Sequence, residues 1–132
     1  MAFGIHHLHL KTRDPKATMQ FYVDNLGATL VGEAGAHGYR VNLHGLQLNI
    51  TPIMETQGRE QHYGIEHIGV DTDDYAATLA RLRANGVRVL EESALTASDL
   101  AAYPWLPPGA MGRRVCFLEA PDGVQIEVIE KK

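Results

Sequence analysis

Three stretches of the chain alternate between apolar and polar residues: Leu8-His9-Leu10, Leu46-Gln47-Leu48-Asn49-Ile50 and Val124-Gln125-Ile126-Glu127-Val128. A period of two marks a strand with one face buried. Aliphatic residues take one face of each stretch, and the chemically useful residues take the other: His7 and His9, then Gln47 and Asn49, then Gln125 and Glu127. His6, by the same alternation, faces away with Leu8. The first strand is expected over residues 4–11. Asp14 is then placed to cap a helix with Pro15 in its first turn, and Gly27 to close it after Leu26. Short β-type runs follow at 28–32, 39–43 and 46–50, parted by glycine-containing turns at 35–38 and His44-Gly45. This order is βαβββ.

The second half repeats the order. A strand is expected over 65–71, a helix from Asp74 to Asn85 closed by Gly86, and strands over 87–91, 114–118 and 124–129, with Pro121-Asp122-Gly123 as the last hairpin turn. The wording repeats as well. Gly4-Ile5-His6-His7 reads against Gly64-Ile65-Glu66-His67, an offset of 67 − 7 = 60, and Gly45-Leu46-Gln47-Leu48-Asn49-Ile50 reads against Gly123-Val124-Gln125-Ile126-Glu127-Val128. His7 therefore corresponds to His67, and Asn49 to Glu127. One nitrogen and one oxygen ligand per copy is a natural way to build a metal site about a pseudo-twofold axis. We expect one domain, 1–132, made of module one (4–54), a polar linker (55–63) and module two (64–132). The spacing between ligand positions is 127 − 67 = 60 in the second copy and 49 − 7 = 42 in the first. The extra 18 residues fall in 93–112, which holds the proline-rich run Tyr103 to Gly109, unsuited to a helix or inner strand.

The motifs Ile5-His6-His7-Leu8-His9-Leu10, Phe21-Tyr22-Val23-Asp24-Asn25-Leu26-Gly27, Gly64-Ile65-Glu66-His67-Ile68 and Pro121-Asp122-Gly123-Val124-Gln125-Ile126-Glu127 resemble the vicinal oxygen chelate superfamily. That superfamily contains glyoxalase I, extradiol dioxygenases, fosfomycin-resistance enzymes and bleomycin-binding proteins, and the likeness covers essentially the whole chain. It implies an α+β fold in which two tandem βαβββ modules form a cupped mixed sheet around a divalent metal, with the helices outside. The metal ligands carry over to His7, His67 and Glu127. The fourth family position, commonly glutamate or glutamine, falls on Asn49. An amide has no useful pKa for general-base work, which disfavours a symmetric two-carboxylate isomerisation. Two histidines and one carboxylate instead resemble the facial triad of non-haem Fe(II) enzymes. The histidine and tyrosine that extradiol members carry near the last strands are not found before Glu127.

Composition narrows the setting. With 132 residues, 45% of them hydrophobic, the chain can bury one respectable core. A formal charge of −4 gives no electrostatic reason to bind nucleic acid or an anionic membrane. No apolar run approaches membrane-spanning length and no basic segment leads into one, so a cytoplasmic location is expected. Cys116 stands alone, which suits a reducing compartment and a buried packing role.

The expected function is that of a metal-dependent enzyme acting on a small organic molecule with vicinal oxygens. Fe(II) dioxygenase chemistry is preferred, ahead of a glyoxalase-type lyase or isomerase using Ni, Co, Mn or Zn, and ahead of a metal-free drug- or metabolite-binding protein. Glu127 and His9 are the candidate proton carriers. Asn49, Gln47, Tyr103, Trp105 and Arg114 are the candidate substrate contacts. A homodimer is expected, and superfamily members build their sites either within one chain or across two.

Overall fold

Each half of the chain turns from its first strand into its first helix in the same way. Thr12 and Thr18 join hydroxyls at 2.6 Å, Asp14 donates its N–H to Thr12 Oγ1 at 3.3 Å, and Asp14 Oδ1 accepts from Ala17 N at 3.0 Å. Sixty residues on, Thr72 and Thr78 join at 2.7 Å, Asp74 N donates to Thr72 Oγ1 at 3.3 Å, and Asp74 Oδ1 accepts from Ala77 N at 3.0 Å. An aspartate N-cap satisfies one of the helix's orphan donors. The two helices end on Gly27 (φ 66°) and just before Gly86 (φ 75°), where the left-handed turn strongly favours glycine.

The computed structural model describes residues 2, 4–52, 64–102, 104 and 108–131. The fold is α+β, two tandem βαβββ modules, and the chain divides into two compact units, Met1–Gly64 and Ile65–Lys132. The first unit contains β1 (Leu8–Lys11), α1 (Pro15–Leu26), β2 (Thr29–Ala34), β3 (Gly38–Leu43) and β4 (Leu46–Thr51). Its sheet runs β1-β4-β3-β2, with β1 parallel to β4 and the other pairs antiparallel. The second unit contains β5 (His67–Thr72), α2 (Tyr75–Ala84), β6 (Val89–Ala94), α3 (Ala97–Ala102), β7 (Arg114–Glu119) and β8 (Gln125–Glu130). Its sheet runs β5-β8-β7-β6, with β5 parallel to β8.

The alternation decides which face is buried. Val41, Leu48 and Ile50 are fully buried, as are Tyr22 of α1 and, in the second unit, Leu118, Ile126 and Leu82 of α2. Burying each such side chain stabilises the fold by about 1.5–3 kcal/mol. The polar faces of β4 and β8 stay half-buried at Gln47, Asn49, Gln125 and Glu127.

Apart from shifts of a few residues at other element ends, such as β6 at Val89–Ala94 where 87–91 is expected, four details differ from the expectation. β1 starts at Leu8, paired with Leu48; Gly4 and Ile5 lie beyond the end of β4, and His6 and His7, joined through their rings, stand outside the ladder. β5 likewise starts at His67, opposite Gln125, the first residue of β8. The turn at Pro121–Gly123 is a single 3-10 turn with Asp122 at φ 59°. The 93–112 stretch contains a short helix, α3, started by Thr96 and Asp99: Asp99 accepts from Thr96 N at 2.6 Å, and Asp99 N donates to Thr96 Oγ1 at 3.3 Å. That reciprocal arrangement is a capping box. The proposed linker, apart from Gly64 beyond it, and both Tyr103 and Trp105 lie outside the described residues. In the edge strands, the register shifts between Leu30 and Gly32 of β2 and between Val89 and Glu91 of β6.

Candidate functional site

His67 is the best-positioned of the expected ligands. It opens β5 on the face that β8 turns toward it with Gln125 and Glu127, and its Nε2 lies 3.0 Å from Glu127 Oε2. Its Nδ1 is bonded to the carboxylate of Glu66. The Glu66 bond, aided by the charge of Glu127 and opposed by burial, raises the His67 pKa. Phe117, which pairs in register with Glu127, meets the His67 ring edge to face at 5.5 Å. Phe117 was not singled out in the sequence, although alternation along β7 places it beside Glu127.

This donor set fits a divalent cation. Two donors each about 2.1 Å from one small ion stand about 3.0–3.4 Å apart, for right-angled to tetrahedral arrangements. The spacing of 3.0 Å between His67 Nε2 and Glu127 Oε2 falls at the lower end of that range. A ligating histidine normally gives its other N–H to a carboxylate, which fixes the tautomer and the ring, and Glu66 is placed to accept it. Within either unit, among the described residues, no three His, Cys, Asp or Glu side chains form a ready metal cluster.

The first unit carries the matching positions. His7 is exposed just before β1, and its Nδ1 lies 2.8 Å from His6 Nδ1 with the two rings edge to face. His6 therefore does not turn away with Leu8, because strand geometry begins only after it. In both units the residue preceding the candidate histidine engages Nδ1: His6 for His7 and Glu66 for His67. His9, part-buried and in register with Asn49, bonds Thr51 Oγ1 at 2.6 Å. Burial, and secondly the charge of His7, lower the His9 pKa. Asn49 accepts from Gln47 Nε2 at 3.0 Å, so these two candidate substrate contacts hold each other.

Arg114 does not join the Glu127 face. It lies on the helix side of β7, where its guanidinium pairs with Glu130 at 2.8 Å and sits 4.8 Å from the centre of the Tyr75 ring. Glu130 is an even number of residues from the buried Ile126 and Val128, and Tyr75 of α2 lies on that side, where parity also sets Arg114. Cys116 is buried on that side too, and burial raises its pKa.

Paired βαβββ modules, the second bringing His67 and Glu127 together across β5 and β8, are the architecture of the vicinal oxygen chelate class. The family model of the Glyoxalase/Bleomycin resistance protein/Dioxygenase superfamily matches residues 4–128, and the chain belongs to that superfamily. Among curated proteins it is similar to a lactoylglutathione lyase of Haemophilus influenzae, 27% identical over 96% of this chain and 91% of that protein. Among solved structures it resembles the genomically encoded fosfomycin resistance protein of Listeria monocytogenes, with a TM-score of 0.71, 17% identity and coverage of 100% and 96%. A mutant of that protein was solved with manganese(II) and a dihydroxypropylphosphonic acid (TM-score 0.73, 16% identity, coverage 100% and 95%). A lactoylglutathione lyase of Agrobacterium tumefaciens gives a TM-score of 0.64 at 19% identity, covering 96% and 92%. At these identities the solved structures speak for the fold. No helix among the described residues is long and apolar enough to cross a membrane.

Proposed function

We propose that the chain is a metal-dependent enzyme of lyase or isomerase type acting on a small molecule with vicinal oxygens. The observation that carries the reading is His67, held through Nδ1 by Glu66 while its Nε2 faces Glu127 at 3.0 Å. His67 and Glu127 would hold the metal in the second module, and His7 is the further ligand candidate that the repeat offers. Bound there, a divalent ion supplies Lewis acidity and a template for two adjacent oxygens. The remaining work falls to the chain's own groups. Glu127 takes a proton from the carbon beside the substrate carbonyl and returns it to the neighbouring position, one carboxylate serving where a symmetric site would use two. His9 is the second candidate proton carrier, in the first module. The likeness to a lactoylglutathione lyase supports this reaction class.

Fe(II) dioxygenase chemistry is the second reading, favoured by one observation. The Asn49 side chain is engaged by Gln47, which leaves a two-histidine, one-carboxylate set. Metal analysis of protein purified without an affinity tag, beside Glu127→Ala, tests the site: near-stoichiometric metal lost in the variant supports it, and no uptake by the wild type refutes it. Lactoylglutathione lyase activity measured anaerobically with Ni, Co, Mn or Zn then separates the first reading from oxygen consumption with Fe(II). A homodimer in the cytoplasm is the expected form.

A further inference from the structure

We propose that Gly69 sets the substrate range of this site: the side chain it lacks leaves the room beside Glu127 in which a substituent of the substrate lies. The inference rests on the metal-dependent reading above. The 60-residue offset sets Gly69 against His9, and the two occupy equivalent places, His9 in register with Asn49 and Gly69 in register with Glu127. In the first unit that place is filled by an imidazole bonded to Thr51. In the second, no side chain of the described residues fills it.

Neither backbone nor packing accounts for the glycine. Gly69 is absent from the glycines with positive φ, so its conformation suits any residue. Among the described residues a Cβ built there meets only Glu127 Oε2, at 3.8 Å, an ordinary contact. Glycine inside a strand weakens it and often marks a place where a ligand comes close to the backbone. What Gly69 provides is open space along the carboxylate. Glu127 and Phe117 stand side by side in register across β8 and β7, so the space is bordered by a carboxylate and an aromatic ring. That suits a vicinal-oxygen compound whose substituent is short or flat. The first module, with His9 in the matching place, offers no such room.

The test uses the full chain loaded with cobalt(II) and two hydroxamates that chelate through adjacent oxygens, acetohydroxamic acid and the bulkier benzohydroxamic acid, with affinity read from the cobalt absorption spectrum. Wild type is expected to bind both. Gly69→Ala should weaken benzohydroxamate by about tenfold or more, the scale set by one carbon in a fitted site, and acetohydroxamate less. Gly69→Val should weaken both further, with cobalt stoichiometry and melting temperature kept. Unchanged benzohydroxamate affinity in cobalt-loaded Gly69→Ala and Gly69→Val overturns the inference and leaves the metal reading standing. So does a wild type that holds cobalt and binds neither probe, or a folded Gly69→Ala that loses cobalt, since glycine would then serve ligand placement. Failure of the wild type to take up cobalt overturns the metal reading and this inference together. If Gly69→Val does not fold, Gly69→Ala alone decides, because its added Cβ makes no close contact.

Discussion

Gly38, the first residue of β3, is the least replaceable glycine among the described residues, and alanine there should cost the protein much of its stability. A Cβ at Gly38 would stand 2.4 Å from Ala34 O, 2.7 Å from Ile50 O and 2.9 Å from Thr51 Cγ2. Ordinary contact begins at 3.4 Å, so the shortfalls at the oxygens are 3.4 − 2.4 = 1.0 Å and 3.4 − 2.7 = 0.7 Å. Both oxygens are backbone atoms of neighbouring strands, and relief requires β2 or β4 to move. Overpacking a well-packed site costs about 1–3 kcal/mol, and two backbone clashes place Gly38→Ala near the upper end. For a chain of this size about 3 kcal/mol lowers the melting temperature by roughly 10 °C. Because Thr51 bonds His9, the distortion should also shift the His9 imidazole resonances. Thermal unfolding by circular dichroism, with Gly4→Ala as the control whose Cβ meets nothing within 4 Å, gives the answer. A melting temperature within about 2 °C of wild type would refute the steric argument.

Other variants probe separate parts of the structure. The Tyr22 hydroxyl is buried without a hydrogen-bond partner among the described residues, and burial raises its pKa. A buried unsatisfied polar group costs about 1–3 kcal/mol, so Tyr22→Phe should be neutral or stabilising in chemical denaturation; a clear loss would show that the hydroxyl has a use. Glu66→Ala frees His67 Nδ1 and should weaken metal binding by about 10–100-fold in competition with a chelating dye, whereas unchanged affinity would deny Glu66 its orienting part. Asp99 has a lowered pKa because it accepts from the backbone and then the hydroxyl of Thr96. Its contribution to α3 is therefore complete above the unfolded aspartate value of about 3.9 and is lost as pH falls through the lower folded value. Carboxylate NMR should show Asp99 titrating below that value in the wild type and closer to it in Thr96→Ala, and identical titrations would contradict the capping role.

Much of the fold was legible because the chain states it twice. Alternation at Leu46 to Ile50 and Val124 to Val128 put the aliphatic residues on the helix side, and the structure buries Leu48, Ile50, Ile126 and Val128 there. Asp14 and Gly27 marked the ends of α1 because caps are local chemistry. The start of β1 was less legible, since pairing with β4, almost forty residues away, is not written in the local alternation. α3 was missed although Thr96-x-x-Asp99 is a capping signal, because Ala97 to Ala102 lacks an apolar stripe and no residue of it is buried. In the candidate site, the face shared by His67 and Glu127 followed from parity, whereas the direction of Arg114 was left open between two adjacent arginines and was decided by Tyr75 and Glu130. Gly69 drew no notice because a missing side chain carries no chemistry until its neighbour is known.

The register shifts in β2 and β6 bear on how such a chain stays dispersed. Both strands lie at the edge of their sheets and show apolar side chains to solvent, Leu30 and Val31 in one and Leu90 in the other. An exposed apolar edge with free N–H and C=O groups is a template for strand addition by another chain and for aggregation. The irregularity falls at Leu30/Gly32 and at Val89/Glu91, next to those side chains in both modules. It twists the edge and breaks the run of evenly spaced donors and acceptors that an incoming strand would need. Each duplicated half thus carries its own guard against misassembly, at the strand where an open sheet needs one.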